Sequence, residues 1–328
     1  MAFLTWLCGV MLEEERGLPS PIAKPRRLNV LPPHAEQRHE NAPVAVGRFP
    51  AWLHRRLPRG NGVEKTGHIL LESRLHTVCE EAKCPNLLEC WSRGTATFLV
   101  MGKSCTRNCG FCSINFAEKP KALEDDEPLR VAQSVKILRL RHVVITMVAR
   151  DDLPDGGSAH LVRVMGEVRR CNPEVTVELL TSDFSGEKLA WQQVLSAAPD
   201  VFNHNIETVR ELTPRVRHKA TYDRTLEFLR YAVLHRQDRR LKVKSGLMVG
   251  LGEKEEQVYE TLRDLKEAGC DIVTIGQYLQ PDARKLRVKT FVSPEQFKKY
   301  EAFGYEIGLP HLYCGPFVRS SYNADSYL

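Results

Sequence analysis

The sequence predicts an α/β protein: a partial (βα)6 barrel with an extension at each end. Two observations carry this. From residue 96 onward, short apolar runs alternate with helical stretches at a spacing that fits parallel strands joined by right-handed crossovers. The stretches rich in cysteine, glycine and acid fall directly after the apolar runs, where a parallel barrel gathers its active site. Six strands are too few to close the eight-strand form.

Each segment has its reason. Residues 1–60 are rich in Pro, Arg and His, and Pro19, Pro21, Pro25, Pro32 and Pro33 break any helix. They read as an extended N-terminal arm, partly disordered at its start. The first eleven residues are apolar (Phe3, Leu4, Trp6, Leu7, Val10), but no basic stretch precedes them and Glu13, Glu14 and Glu15 follow. That pattern argues against a secretory signal and leaves Met11 as an alternative initiator. Residues 61–95 carry a first group of cysteines on short helical turns. The barrel is expected over 96–308. Its strands are predicted at 97–101, 142–148, 175–180, 201–205, 243–249 and 271–277. Its helices are predicted at 129–140, 159–170, 186–198, 221–236, 255–268 and 294–303. Residues 309–328 form a polar C-terminal tail. Six loops follow the strands and should converge on one face. They hold Cys105, Arg150-Asp-Asp-Leu-Pro-Asp-Gly-Gly157, Thr181-Ser-Asp183, Asn203-His-Asn-Ile-Glu-Thr208, Gly250-Leu-Gly-Glu253 and Gln277-Tyr-Leu-Gln-Pro281.

Composition excludes some classes. Of 328 residues, 42% are hydrophobic and 27% charged, which suits a soluble globular chain. No apolar run approaches the roughly 20 residues of a membrane span. A net charge of +6 is mild for a nucleic-acid binder, and no Lys/Arg stripe alternates with aromatics. It suits an acidic protein partner. Neither nucleic acid nor membrane is an expected partner. Ten cysteines are too sparse for a disulfide scaffold. Their clustering reads as metal binding in a reducing compartment, the cytoplasm.

Six of the ten cysteines stand in two tight groups. Cys105-Thr-Arg-Asn-Cys109-Gly-Phe-Cys112 reads C-x3-C-x2-C; Cys79, Cys84 and Cys90 read C-x4-C-x5-C. Three thiolates on one short loop hold three corners of a cubane iron–sulfur cluster. The fourth iron then stays open, and can chelate an amino acid through its amino and carboxylate groups. Two such trios predict two [4Fe-4S] clusters with different work. The alternative is structural zinc with a distant fourth ligand, but zinc favours paired C-x2-C knuckles. Under either reading Lys103, Arg107 and Asn108 are surface residues.

C-x3-C-x2-C with an aromatic, Phe111, before the last cysteine resembles the radical S-adenosylmethionine (SAM) enzymes. In that family the cluster passes one electron to bound SAM. The sulfonium bond breaks, giving methionine and a 5′-deoxyadenosyl radical that abstracts hydrogen from unactivated carbon. The resemblance implies a TIM-like barrel of the radical SAM type, with SAM as cofactor. Asp155-Gly156-Gly157 stands where the superfamily uses a Gly-Gly-Glu-like stretch for the methionine amino group. Ser158 replaces the Glu, which leaves that contact to backbone carbonyls that glycine lets approach. Gly246-Leu-Met-Val-Gly-Leu-Gly-Glu253 is similar to G-x-I-x-G-x-x-E, an apolar wall for adenine, with Met248 at the Ile position. Gly250, Asn203 and Glu207 complete the expected SAM contacts.

The first trio, directly upstream of the second, resembles the lipoyl synthase family. So do the tail Arg319-Ser-Ser-Tyr322 and the stretches at 150–157 and 203–208. The resemblance spans roughly residues 60–325. It implies an octanoyl chain, amide-linked to a lysine of a lipoyl carrier domain, that gains sulfur at C6 and C8. One SAM is consumed per hydrogen abstracted. The sulfur comes from the auxiliary cluster on Cys79, Cys84 and Cys90, which is destroyed. Ser321 is the implied fourth ligand of that cluster, a hard oxygen that iron holds weakly. Spacing leaves Ser320 open as the alternative. A flavodoxin- or ferredoxin-like electron donor is also implied.

Other residues read as structural. Cys171 and Cys270 end predicted helices, and Cys314 is the spare cysteine nearest the tail. His204, His218 and His311 read as hydrogen-bonded rather than ligating. Arg215 and Arg217 are candidates to meet a carrier domain or the SAM carboxylate. Two other functions stay open: a biotin synthase-like enzyme acting on a free small molecule, and a non-enzymatic iron–sulfur carrier. Carriers close every iron with cysteine, whereas both trios leave a position open.

Overall fold

The strand-forming runs are rich in Val, Ile, Leu and Phe, and they assemble into one eight-stranded sheet. In chain order the strands are β1 (His76–Thr77), β2 (Thr97–Val100), β3 (Ser104–Cys105), β4 (Asn115–Phe116), β5 (His142–Met147), β6 (Thr176–Leu180), β7 (Val201–Asn203), β8 (Lys242–Val249), β9 (Ile272–Gln277) and β10 (His311–Gly315). The sheet order is β1-β2-β5-β6-β7-β8-β9-β10, while β3 and β4 pair separately as a small parallel ribbon. Every neighbouring pair from β2 to β10 is parallel, and β1 caps the edge antiparallel to β2. This is a computed structural model, and it describes residues 49–322 and 324, apart from 56 and 237–239. The apolar start, Met11, Cys8 and most of the expected arm lie outside the described residues.

All six predicted strands form, with ends within two residues of expectation. A seventh parallel strand, β10, was not foreseen, because its segment was assigned to the tail. His311-Leu-Tyr-Cys-Gly315 is short, follows Pro310 and ends in glycine, so its local signal is weak. Pairing with β9 makes it a strand, from His311 opposite Ile272 to Gly315 opposite Gly276.

The helices are α1 (Gly62–Glu72), α2 (Val78–Glu81), α3 (Leu87–Ser92), α4 (Glu127–Ile137), α5 (Ser158–Cys171), α6 (Lys188–Ser196), α7 (Thr213–Val216), α8 (Tyr222–His235), α9 (Glu255–Glu267) and α10 (Pro294–Glu306). Their starts follow from local chemistry. Thr221 accepts from Arg224 N at 3.2 Å to cap α8; Ser293 accepts from Gln296 N at 3.3 Å, with Pro294 in the first turn of α10. Among the described residues no helix is long and apolar enough to cross a membrane.

Side chains alternate across a strand, so each strand presents one face to the helices and one to the lumen. Phe202 on β7 meets Phe228 of α8, with ring centroids 4.9 Å apart; Phe228 stacks on Trp191 of α6 at 4.4 Å. Asn203, next along β7, therefore faces inward. There Lys244 of β8 reaches Glu178 of β6 at 2.9 Å across the intervening strand. Side chains on non-adjacent strands touch like this only on the concave side of a curved sheet. Both are 0% exposed, and Asn203 Nδ2 donates to the same carboxylate at 2.8 Å. The lumen floor is thus a dry ion pair. Burial alone would raise the Glu178 carboxyl, but the Lys244 ammonium holds it below the ordinary range.

Candidate iron–sulfur site at the barrel mouth

The loop of the second trio leaves β3 at Cys105 and is stitched to the end of β5. Thr106 N and Thr106 Oγ1 both donate to Ala149 O at 3.0 Å, and Asp151 N donates back to Thr106 Oγ1 at 3.0 Å. Arg107 corrects the sequence reading. It is not a surface residue: its side chain is 5% exposed and pairs with Asp151 at 2.7 Å and Asp183 at 2.6 Å. Arg224 joins Asp183 from α8 at 3.0 Å. The partner carboxylates follow β5 and β6, so only the folded sheet brings them to this loop. Burial would raise both acids. Against it, the hydrogen bonds and charge of Arg107 hold Asp151 at about 2, and its charge keeps Asp183 below the carboxylate range. Lys103 and Asn108 are exposed, as expected.

Burial pushes the Cys109 thiol up to about 11 and Cys112 to about 12, with neighbouring thiols of the trio and Glu207 adding to it. Arg217 works against this at Cys109. Buried thiols like these lose their protons only to a strongly positive ligand, which iron supplies. Arg107 N also points at Cys105 Sγ at 3.4 Å, a backbone donor to a ligand sulfur. The donor set is sulfur alone, which suits an iron–sulfur cluster. Among the described residues no three His, Cys, Asp or Glu groups meet at the point a single ion needs. Cubane thiolates have no need to, because each takes a different iron. Phe111, Met248 and Leu286 pack against a cluster of Val216, Leu251 and Tyr278, so an apolar wall stands beside the loop.

The expected SAM contacts divide into two kinds. Gly156, Gly157 and Gly250 shape loops. Gly157 has φ 87°, and a Cβ there would lie 2.5 Å from Met101 Sδ, so the turn itself demands glycine. Gly156 precedes it at φ 61°, and Gly250 O accepts from Lys289 N at 2.8 Å to hold the loop after β8. Ser158 points away into the helices, donating to Gln193 Oε1 at 2.7 Å. Asn203 belongs to the lumen floor.

Glu207 faces the mouth. Its backbone adopts φ 68°, held by Glu207 N donating to Gly246 O and Met248 N donating to Glu207 O, both at 2.9 Å. Burial pushes its carboxyl up, opposed by Arg217, Asn205 and Arg319. Asn205 was missed in the sequence. Its Nδ2 donates to Glu207 Oε1 at 3.1 Å, and its buried Oδ1 has no partner among the described residues. Arg217 is buried, donating to Asn205 O at 2.6 Å and meeting His204 Nε2 at 3.2 Å, while Arg215 is exposed. His204 is structural: burial and Arg217 push it down to about 3, so it stays neutral.

The first trio sits beside β1. Thr77 caps α2, which holds Cys79; Cys84 N donates to Cys79 O at 3.0 Å, and Cys90 lies in α3. Burial, then the charge of Cys84, raises Cys79 to about 12 and Cys90 to about 11. The three thiols therefore sense one another. The C-terminal segment docks here. Asn86 Nδ2 donates to Phe317 O at 2.8 Å. A Cβ on Gly276 would lie 2.0 Å from Val318 O, so only glycine in β9 lets the segment in. Burial pushes the half-buried Arg319 guanidinium down; the charges of Cys84 and Glu207 oppose this and that of Arg55 adds to it. Ser320 Oγ accepts from Asn205 Nδ2 at 3.3 Å. Cys314 is in β10 and packs against the main core; Cys270 is buried there too.

Residues 99–265 match the model of the Radical SAM superfamily. A protein named Lipoyl synthase from Protochlamydia amoebophila (strain UWE25) is 64% identical over 305 residues, 93% of this chain and 94% of that one. The chain belongs to the lipoyl synthase family. A Lipoyl synthase from Chlamydia abortus (strain DSM 27085 / S26/3) is 51% identical over 281 residues, covering 86% of this chain and 90% of that one. That membership, rather than cysteine spacing, separates the chain from the biotin synthase-like and carrier alternatives. Among solved structures, Streptococcus suis SuiB bound to precursor peptide SuiA superposes with a TM-score of 0.52 at 11% identity, over 70% of this chain and 52% of that one. HydG, a maturase of the [FeFe]-hydrogenase, gives 0.50 at 13% identity, over 76% and 68%. At such identities the likeness speaks for the fold alone.

Proposed function

We infer that this chain inserts two sulfur atoms, at C6 and C8, into an octanoyl group carried on a lysine of a lipoyl carrier domain. The observation that supports the reading in detail is the C-terminal segment, whose Phe317 O accepts from Asn86 beside the first trio and whose Ser320 Oγ accepts from Asn205 beside Glu207. Cys105, Cys109 and Cys112 would hold the cluster that, with SAM, would supply radical chemistry, and Cys79, Cys84 and Cys90 would hold the cluster that would supply sulfur. The chain's own residues do the rest. Arg107 locks the cysteine loop onto two strand ends. Glu207 and Asn205 offer polar atoms for the methionine end of SAM, and Phe111 and Met248 an apolar face for adenine. Ser320 is engaged by Asn205, which leaves Ser321 to close the first trio. The free thiols of both trios suit a reducing cytoplasm.

The carrier domain docks on the basic rim of the mouth. Segments 103–112, 213–220 and 282–290 are tied together there: Gly110 N donates to Val216 O and Leu286 N to Gly110 O, both at 2.9 Å. They expose Lys103, Arg215, Lys219, Arg284, Arg287 and Lys289, and Asp282 is their single carboxylate. Such a rim steers an acidic face to the cavity. The donor of electrons is assigned by class only, flavodoxin- or ferredoxin-like.

The test is turnover of an octanoylated carrier by anaerobically reconstituted protein with SAM and reductant. The product should gain two sulfurs, with two 5′-deoxyadenosines formed per lipoyl group. SAM cleavage with no sulfur in the product would overturn the reading. Raising ionic strength from about 0.01 M to about 0.15 M shortens the Debye length from roughly 30 to roughly 8 Å. The KM for carrier should then rise several-fold while kcat holds; an unchanged KM would remove the rim from the docking surface.

A further inference from the structure

Arg55 lies far in sequence from both trios, within the stretch read as an extended arm, yet it grips the first trio and the C-terminal segment together. Its Nη1 donates to Asn86 Oδ1 at 2.9 Å and to Glu89 Oε2 at 2.6 Å. Its Nη2 donates to Tyr322 OH at 3.3 Å, and Tyr322 OH donates to Glu89 Oε1 at 2.9 Å. The guanidinium also lies 3.9 Å from the centre of the Phe317 ring and 5.4 Å from that of Tyr322. Asn86 and Glu89 belong to the stretch between Cys84 and Cys90. Phe317 and Tyr322 stand on either side of Ser320 and Ser321. One planar cation therefore sets the spacing between two thiols of the trio and the serines.

We propose that Arg55 is a positioning residue that seats Ser321 against the first trio's cluster and latches the C-terminal segment shut. The proposal rests on the assignment of Ser321 above. A guanidinium suits the task because it donates in a fixed fork and stacks on rings at once, which an ammonium cannot do. The latch is local. Without Arg55, Asn86 still donates to Phe317 O, and Glu89 still meets Arg93 at 2.8 Å. Loss of the arginine should loosen the segment, not unfold the barrel.

The test uses the full chain with Arg55→Ala and Arg55→Lys. Trypsin cuts after arginine, and the half-buried Arg319 makes the bond to Ser320 a reporter of opening. In iron-free protein, cleavage there should rise about ten-fold in Arg55→Ala, the scale of one lost set of charge-assisted contacts, with Arg55→Lys between. In reconstituted protein, the Mössbauer signature of the first trio's cluster should change. Lipoyl product per 5′-deoxyadenosine should fall about ten-fold while deoxyadenosine itself stays within about two-fold. Should Arg55→Ala fail to fold, Tyr322→Phe keeps the ring and deletes the hydroxyl contacts; it should move every readout the same way, by less. Unchanged tryptic protection, cluster spectrum and product ratio in a folded variant would overturn the latch. If the parent chain makes no deoxyadenosine, the proposed function fails, yet tryptic protection still decides the latch.

Discussion

Replacing Cys105, Cys109 or Cys112 with alanine abolishes 5′-deoxyadenosine formation, whereas the same change at Cys79, Cys84 or Cys90 spares it and abolishes sulfur insertion. The trios hang on different supports. The second is fastened to the ends of β5 and β6 through Thr106 and Arg107; the first is built on α2 and α3 beside β1. Losing one sulfur from either leaves the other's support untouched. Each variant should fall from about eight to about four irons per chain, the complement of one cubane. Iron content, SAM cleavage and product mass on the same preparations check it. If both sets stop deoxyadenosine equally while circular dichroism stays native, the division of labour is wrong.

Lys244→Met lowers the free energy of unfolding by about 3–5 kcal/mol, because it strands the Glu178 carboxylate in a dry lumen. Lys244 meets that carboxylate at 2.9 and 3.0 Å. Without it, burial raises the carboxyl above its unfolded value instead of below. The deficit should therefore shrink as pH falls through the raised value, when Glu178 folds already protonated. In the parent chain the carboxyl is held low, so its contribution is present above the unfolded value and is lost as pH falls. The pair Lys244→Met with Glu178→Leu should recover most of the loss, since apolar replacement of a buried ion pair is often neutral. Urea unfolding across pH measures all three. A single-variant cost under about 1 kcal/mol would mean that water reaches the pair.

Local pattern made part of this molecule legible. The βα alternation located six of the seven parallel strands of the main sheet, because each is a run of apolar residues with its own period. The cysteine trios stand out because each is a short-range spacing along the chain. What escaped depends on partners distant in sequence. Nothing local marks Glu178 and Lys244 within their strand runs as an ion pair; the folded sheet brings them together and buries both. Arg107 looks solvated until two strand ends deliver Asp151 and Asp183. β10 needs β9, and the hydrogen bond that Asn205 gives Ser320 joins residues 115 apart in sequence.

The sheet never closes, and its two free edges are β1 and β10. β1 leads straight into the helix that carries Cys79, and β10 straight into the segment that carries Ser321. The first trio and the C-terminal segment therefore flank the gap in the wall, which the hydrogen bond from Asn86 to Phe317 O spans. Under the proposed function a cluster dismantled and refilled there would stand in the doorway, where repair need not disturb the strands that hold the second trio's loop.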